Sequence, residues 1–156
     1  MRGTNILLMM LAAGPGSAAE YKGGAKLWFT LAAMPLQATG TAGRADGMTR
    51  FPSDAVAFRG LKTECFGWAD AGGLGKGHCL NTAPNGDLWI ESYVCDTQLP
   101  PPSWAFAACG GTLTVLGGTG QFAAMSGTGR FTMLTTMIAP DGMQVIYAPG
   151  ELELNW

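Results

Sequence analysis

The stretch LWIESY sets Trp89, Glu91 and Tyr93 at alternate positions. On a β-strand such residues share one face. If that face points into a packed interior, a carboxyl group lies between two aromatic walls, and desolvation favours its neutral form. It would then serve as the single hydrogen-bonding anchor, or as a general base, for a molecule held in apolar surroundings. If the face points to water, the same three residues form an ordinary surface row, the commoner place for a glutamate. The sequence keeps both orientations open. Glu64, beside Cys65, is a second carboxylate and reads as solvated.

Other chemistries find less support. His78 is the only histidine, and its neighbour Cys79 belongs to an even set of four cysteines, Cys65, Cys79, Cys95 and Cys109. An oxidised Cys79 offers no thiolate nucleophile, and Ser92 and Ser103 lack the turn that presents a nucleophilic serine. His78 therefore reads as a strand surface residue. Zinc sites use closely spaced ligand pairs, and no CxxC occurs here. No acidic cluster suggests calcium, and Asp87 sits in the turn Asn85-Gly86-Asp87, where aspartate is at home without a metal. Neither a metal nor a cofactor is expected. The intervals 65–79 and 95–109 each bracket a turn-rich middle, ADAGGLGKG and QLPPPS. If each is a hairpin, its cysteines face each other, which predicts the pairs Cys65–Cys79 and Cys95–Cys109. Met133 and Met137 would suit an adaptable ligand cavity or an ordinary core.

The elements that must position these residues are short strands. Charged residues make up 13% of the chain, about half the ~25% of ordinary soluble proteins, and the 24 glycines follow no collagen-like period. Apolar runs alternate with turn chemistry: KLWFTL, AVAFRGLKTECFGW with Gly60 as a bend, HCLNT, LWIESYVC, GTLTVL, GRFTMLTTMI, MQVIYA and ELELNW. The polar, glycine-containing stretch QATGTAGRADGMTRF reads as a link between two of them. In RFTMLTTM, period two places Phe131, Met133, Thr135 and Met137 on one face. About eight strands with short links predict an all-β antiparallel barrel or sandwich. Closure into a barrel would remove the edges of a chain with few protective charges.

At 156 residues the chain is one domain, preceded by a segment that reads as an export signal. Arg2, the apolar run from Ile6 to Ala13, the breaker Gly14-Pro15-Gly16 and the small residues Ser17-Ala18-Ala19 have the order of a cleaved leader. Residues 1–19 are thus expected to be removed, leaving residues 20–156 as a single barrel domain, periplasmic or secreted. The apolar run is too short to span a membrane. Export also suits two disulfides. A formal charge of −2, with no basic cluster, gives nucleic acid nothing to bind.

The segment GGTGQFAAMSGTGRF, residues 117–131, repeats GTG-x-F. A phosphate-binding loop would need GxxxxGK[ST] or GxGxxG leading into a helix; here a threonine-rich strand follows, so the glycines read as turn devices. The segment resembles the signature GGTG-[KRQ]-[FY]-x-G-x-x-G-x-G of allene oxide cyclase-like and dirigent-like β-barrels, departing from it at Ala124. Upstream, CFGW…GKGHCLNTAPNGDLW is similar to the Cys-x-Gly … Gly-x-x-Cys … Asp-Gly-Asp segment of small exported bacterial members. The likeness runs from about Thr63 to Phe131. It implies an eight-stranded closed barrel with a hydrophobic cavity, often assembled into homo-oligomers. Three functions follow as expectations: binding of a small apolar molecule, an isomerase or cyclase acting on such a molecule, or a structural subunit with a filled barrel.

Overall fold

The computed structural model describes residues 19–36, 40–52, 56–70 and 73–156. Eight strands run in chain order around a closed antiparallel barrel: β1 (Glu20–Leu36), β2 (Gly40–Arg50), β3 (Leu61–Asp70), β4 (Gly75–Thr82), β5 (Leu88–Leu99), β6 (Ala107–Gly118), β7 (Ser126–Ile138) and β8 (Gln144–Asn155). Each strand pairs with its sequence neighbours, and β8 closes the ring on β1 from Glu20↔Asn155 to Leu31↔Gln144. The expected all-β barrel is present. The leader reading falls on residues 1–18, outside the described residues, and on Ala19.

One expected link is a strand. β2 covers most of the glycine-containing stretch after β1, and its composition disguised it. Its outward residues Arg44 and Asp46 are ion-paired, while its inward positions are small. Gly43 and Gly47 leave the space that Leu31 and Phe29 of β1 occupy, so apolar bulk on one strand is matched by its absence on the next. The other difference lies before β3. Val56–Phe58 form a 3-10 turn, Gly60 bends with φ +70°, and the strand starts only at Leu61.

The interior has two tiers. At one end, Phe58 from the β2–β3 connection and Phe122 from a 3-10 turn at Gly120–Phe122 fold inward and are fully buried. Phe58 lies 4.4 Å from Phe51, 4.8 Å from Trp156, 5.6 Å from Tyr21, 5.7 Å from Trp89 and 6.0 Å from Phe122, ring centre to ring centre. With Leu61, Met125, Leu152 and Leu154 these rings form a plug. The other end, where the β1–β2, β3–β4, β5–β6 and β7–β8 connections lie, has no such filling among the described residues.

Both disulfides join the expected partners, Cys65–Cys79 and Cys95–Cys109, and no described cysteine is free. Cys65 and Cys79 face each other directly across β3 and β4. Cys95 and Cys109 join β5 to β6 across a bulge at Asp96, where the register shifts.

Candidate functional site

Above the plug the barrel is hollow. A cavity of about 380 Å³ runs from the level of Ala25 and Leu152 to the open end, where Phe106 and Ile138 flank its mouth. Its wall is largely apolar: Leu27, Phe29 and Leu31 of β1, Phe131 and Met133 of β7, and Ile146 of β8. The opposite wall, on β2 to β4, is mostly small residues, Ala, Gly, Thr and the Cys65–Cys79 bridge, with Trp68 and Asp70 near the mouth. An eight-stranded barrel is near the size at which side chains either fill the interior or leave room for one small ligand. The small residues on β2, β3 and β4 decide for room.

LWIESY lies on β5 with its Trp89, Glu91, Tyr93 face inward. The three residues do different things. Trp89 is buried in the plug, and its indole Nε1 donates to Glu91 Oε2 at 3.2 Å. Glu91 lines the cavity just above it. Tyr93 stands higher on the wall, packed edge-on against Phe131. Its hydroxyl occupies space left by two glycines, since a Cβ at Gly77 would come within 2.7 Å of Tyr93 Oη and one at Gly67 closer still.

Sequence reasoning missed the polar support of Glu91. Asn81, paired with Trp89 across β4 and β5, is buried to 1% exposure. Its Oδ1 accepts from Thr63 Oγ1 at 2.7 Å, and Thr63 and Thr49 share a 2.7 Å hydroxyl contact. Asn81 Nδ2 has no hydrogen-bond partner. The amide lies beside the Glu91 carboxyl and favours its ionised form, less than the Trp89 indole does; it is enclosed behind the cavity wall and does not line the space. The signal was within reach: alternation from Cys79 in HCLNT places Asn81 on the inward face.

Burial pushes the Glu91 carboxyl above the ordinary glutamate range, against the smaller opposing pull of Trp89 and Asn81. Burial likewise raises the Tyr93 hydroxyl. The cavity base thus holds a carboxyl group inclined to keep its proton, braced from behind by the Trp89 indole and the Asn81 amide, and, farther up, a phenol. Such a set can bind an oxygen atom by donation, or exchange a proton with a molecule pressed against it.

The remaining candidates sit elsewhere. Met133 lines the wall, but Met137 is 46% exposed and does not. The pairing of β7 with β8 slips between Thr135 and Met137, so the period-two face that includes Met137 breaks, and Ile138 takes the mouth position instead. Glu64 is on the outer surface, within 2.5 Å of Arg44 and 3.3 Å of Lys62. His78 is exposed on the outside of β4, opposite Phe66 and Ser92. Among the described residues, no three His, Cys, Asp or Glu side chains converge as a metal site would require.

The glycine-rich segment turns the chain from β6 into β7. The Gln121 backbone N–H, which an anion would need, donates to Asp87 Oδ2 at 3.0 Å. Gly120, at φ +54°, brings its Cα against that same carboxylate, where a side chain has no room. The turn carries its own anion, a fixed carboxylate that would repel phosphate. Gly118 and Gly129 keep ordinary φ values and serve close backbone approach instead.

Compared with protein families, curated proteins and solved structures, the chain matches none.

Proposed function

We propose that this protein binds a small apolar molecule in the barrel interior and holds one oxygen atom of it at Glu91. The observation that carries the reading is the cavity base: a largely apolar space of about 380 Å³ ends on the Glu91 carboxyl group, whose pKa burial raises. That volume lies within the range of sites for small ligands, which pair apolar walls with a few polar groups. A carboxyl group inclined to keep its proton can donate, so the complementary group is a hydroxyl, carbonyl or ether oxygen on an apolar body. A filled structural barrel would leave no such space. Export fits the two disulfides, which persist in an oxidising compartment.

A second reading has its own support. A carboxyl group whose proton affinity is raised by burial suits general acid–base work, and the glycine segment resembles allene oxide cyclase-like and dirigent-like barrels. On that reading the cavity folds a reactive apolar substrate and Glu91 moves a proton.

Native mass spectrometry of protein purified from its source tests the ligand reading, the expected result being a retained small molecule. In parallel, titration with the neutral fluorophore N-phenyl-1-naphthylamine should show saturable binding near one molecule per chain. Absence of both a retained molecule and saturable binding would remove the reading. Turnover of a retained molecule, lost in Glu91→Gln, would select the cyclase reading over simple binding.

A further inference from the structure

The open end of the barrel is ringed by apolar side chains that face water. Trp104 (56% exposed) and Phe106 (66%) project from the β5–β6 connection, Met34 (66%) and Leu36 from the end of β1, and Ile138 and Met143 from the β7–β8 side. These come from three separate parts of the chain and converge only because the barrel ends there. Phe106 and Ile138 belong both to this ring and to the cavity wall, so the apolar surface is continuous from the outside of the molecule to its interior. An exposed patch of this kind marks an interaction site. The closed end carries more charge, with the Lys22–Glu153 ion pair and the exposed Arg50, Arg59 and Lys62 set among the exposed Met48 and Leu116.

We infer that the mouth docks on the surface of a zwitterionic lipid layer, placing the cavity opening against the acyl chains. Two properties select this partner. The first is continuity: an apolar molecule could pass from the lipid into the barrel without crossing water, which a docking surface closed off from the cavity would not allow. The second is charge. The ionisable residues nearest the mouth are Asp70, Asp96 and Asp141, against Lys76, which lies over the Trp68 ring. An acidic rim repels anionic lipid and complements the outward ammonium groups of phosphatidylcholine and phosphatidylethanolamine. The same carboxylates would meet their own copies if two mouths docked together, which disfavours a second chain as the occupant. Tryptophan and phenylalanine at the level of lipid headgroups are the residue types such a surface uses.

The inference extends the ligand reading, and the two fail separately. Sedimentation of the full, oxidised chain with vesicles of phosphatidylcholine and phosphatidylethanolamine should carry it into the pellet, with little effect of added salt. The variant Met34→Ser/Trp104→Ser/Met143→Ser changes exposed residues that do not line the cavity. It should partition at least tenfold less while still binding N-phenyl-1-naphthylamine from solution, which also certifies its fold. A second measurement needs no disruptive change: brominated phosphatidylcholine should quench wild-type tryptophan fluorescence, and Trp104→Phe should lose most of that quenching. Several results overturn the inference. They are no sedimentation, equal sedimentation of wild type and triple variant, dependence on added phosphatidylglycerol, or elution as a dimer that the triple variant dissolves. Absence of both a retained molecule and fluorophore binding in wild type, with vesicle binding intact, would remove the ligand reading alone.

Discussion

At the closed end of the barrel Phe58, Trp89 and Phe122 meet within 6.0 Å of one another. Towards the open end the cavity-lining positions of β1, β2 and β3 include Ala33, Thr41, Gly43, Ala45, Gly67 and Ala69. Each strand has a hydrogen-bonded neighbour on both sides, so the ring is closed. What differs is inward side-chain size, and whether the connections fold back. Two connections at the closed end supply a buried ring each, while that between β5 and β6, at the other end, turns its aromatic residues outward. The backbone ladder sets the shape of an eight-stranded barrel. A handful of small residues then decides whether it is a core or a container.

The contrast can be broken most strongly at the plug. Phe58→Ala should destabilise by about 3–5 kcal/mol, the range for truncating a fully buried aromatic ring, read as a lower urea midpoint. The staples come next. Reducing either disulfide should cost on the order of 3 kcal/mol, from the entropy regained by a short loop in the unfolded chain. Free thiols should appear only as the barrel opens. Met133→Ala, in the cavity wall, should cost about 1 kcal/mol, well below the usual core value, because the methionine already faces empty space on one side. A loss as large as that of Phe58→Ala would mean that the cavity is filled in solution and that the two tiers are alike.

The smallest effect concerns Glu91 and is a matter of sign. Burial raises its folded pKa, so the folded state holds the proton more tightly than the unfolded chain. Its contribution to stability is complete below the unfolded pKa of about 4.3 and is lost as pH climbs through the raised folded value. Glu91→Gln should therefore be neutral or mildly stabilising near pH 7. The stability difference from wild type should shrink towards pH 4 in chemical denaturation. A variant less stable at pH 7 than at pH 4, relative to wild type, would mean that the carboxylate is held ionised by its neighbours.

Much of this architecture was readable from the chain. Period-two patterns marked β5, β7 and β8, the fourteen-residue intervals paired the cysteines, and the glycine segment read correctly as a turn. What escaped shares a cause. β2 carries little apolar bulk because β1 supplies it from the facing side, so its own pattern is faint. Met137 was misplaced because a slip between β7 and β8 is a property of two strands and leaves no trace in either alone. Asn81 was overlooked because a buried polar residue is meaningful only with its partners, which come from β2, β3 and β5.

The seam between β1 and β8 has a consequence for how the molecule comes into being. It joins strands from opposite ends of the described chain, and Ala19 and Trp156 exchange two backbone hydrogen bonds beside it, of 2.8 and 2.9 Å. No hairpin formed early can supply that pairing, so the ring stays open until all eight strands are in register. Folding governed by such distant contacts is slow, on the millisecond-to-second scale. The same nearness makes a circularly permuted version feasible. A short linker from Trp156 to Ala19, with new ends cut in the proline-rich turn after Leu99, would convert the last closure into a local hairpin and should speed assembly without altering the finished barrel.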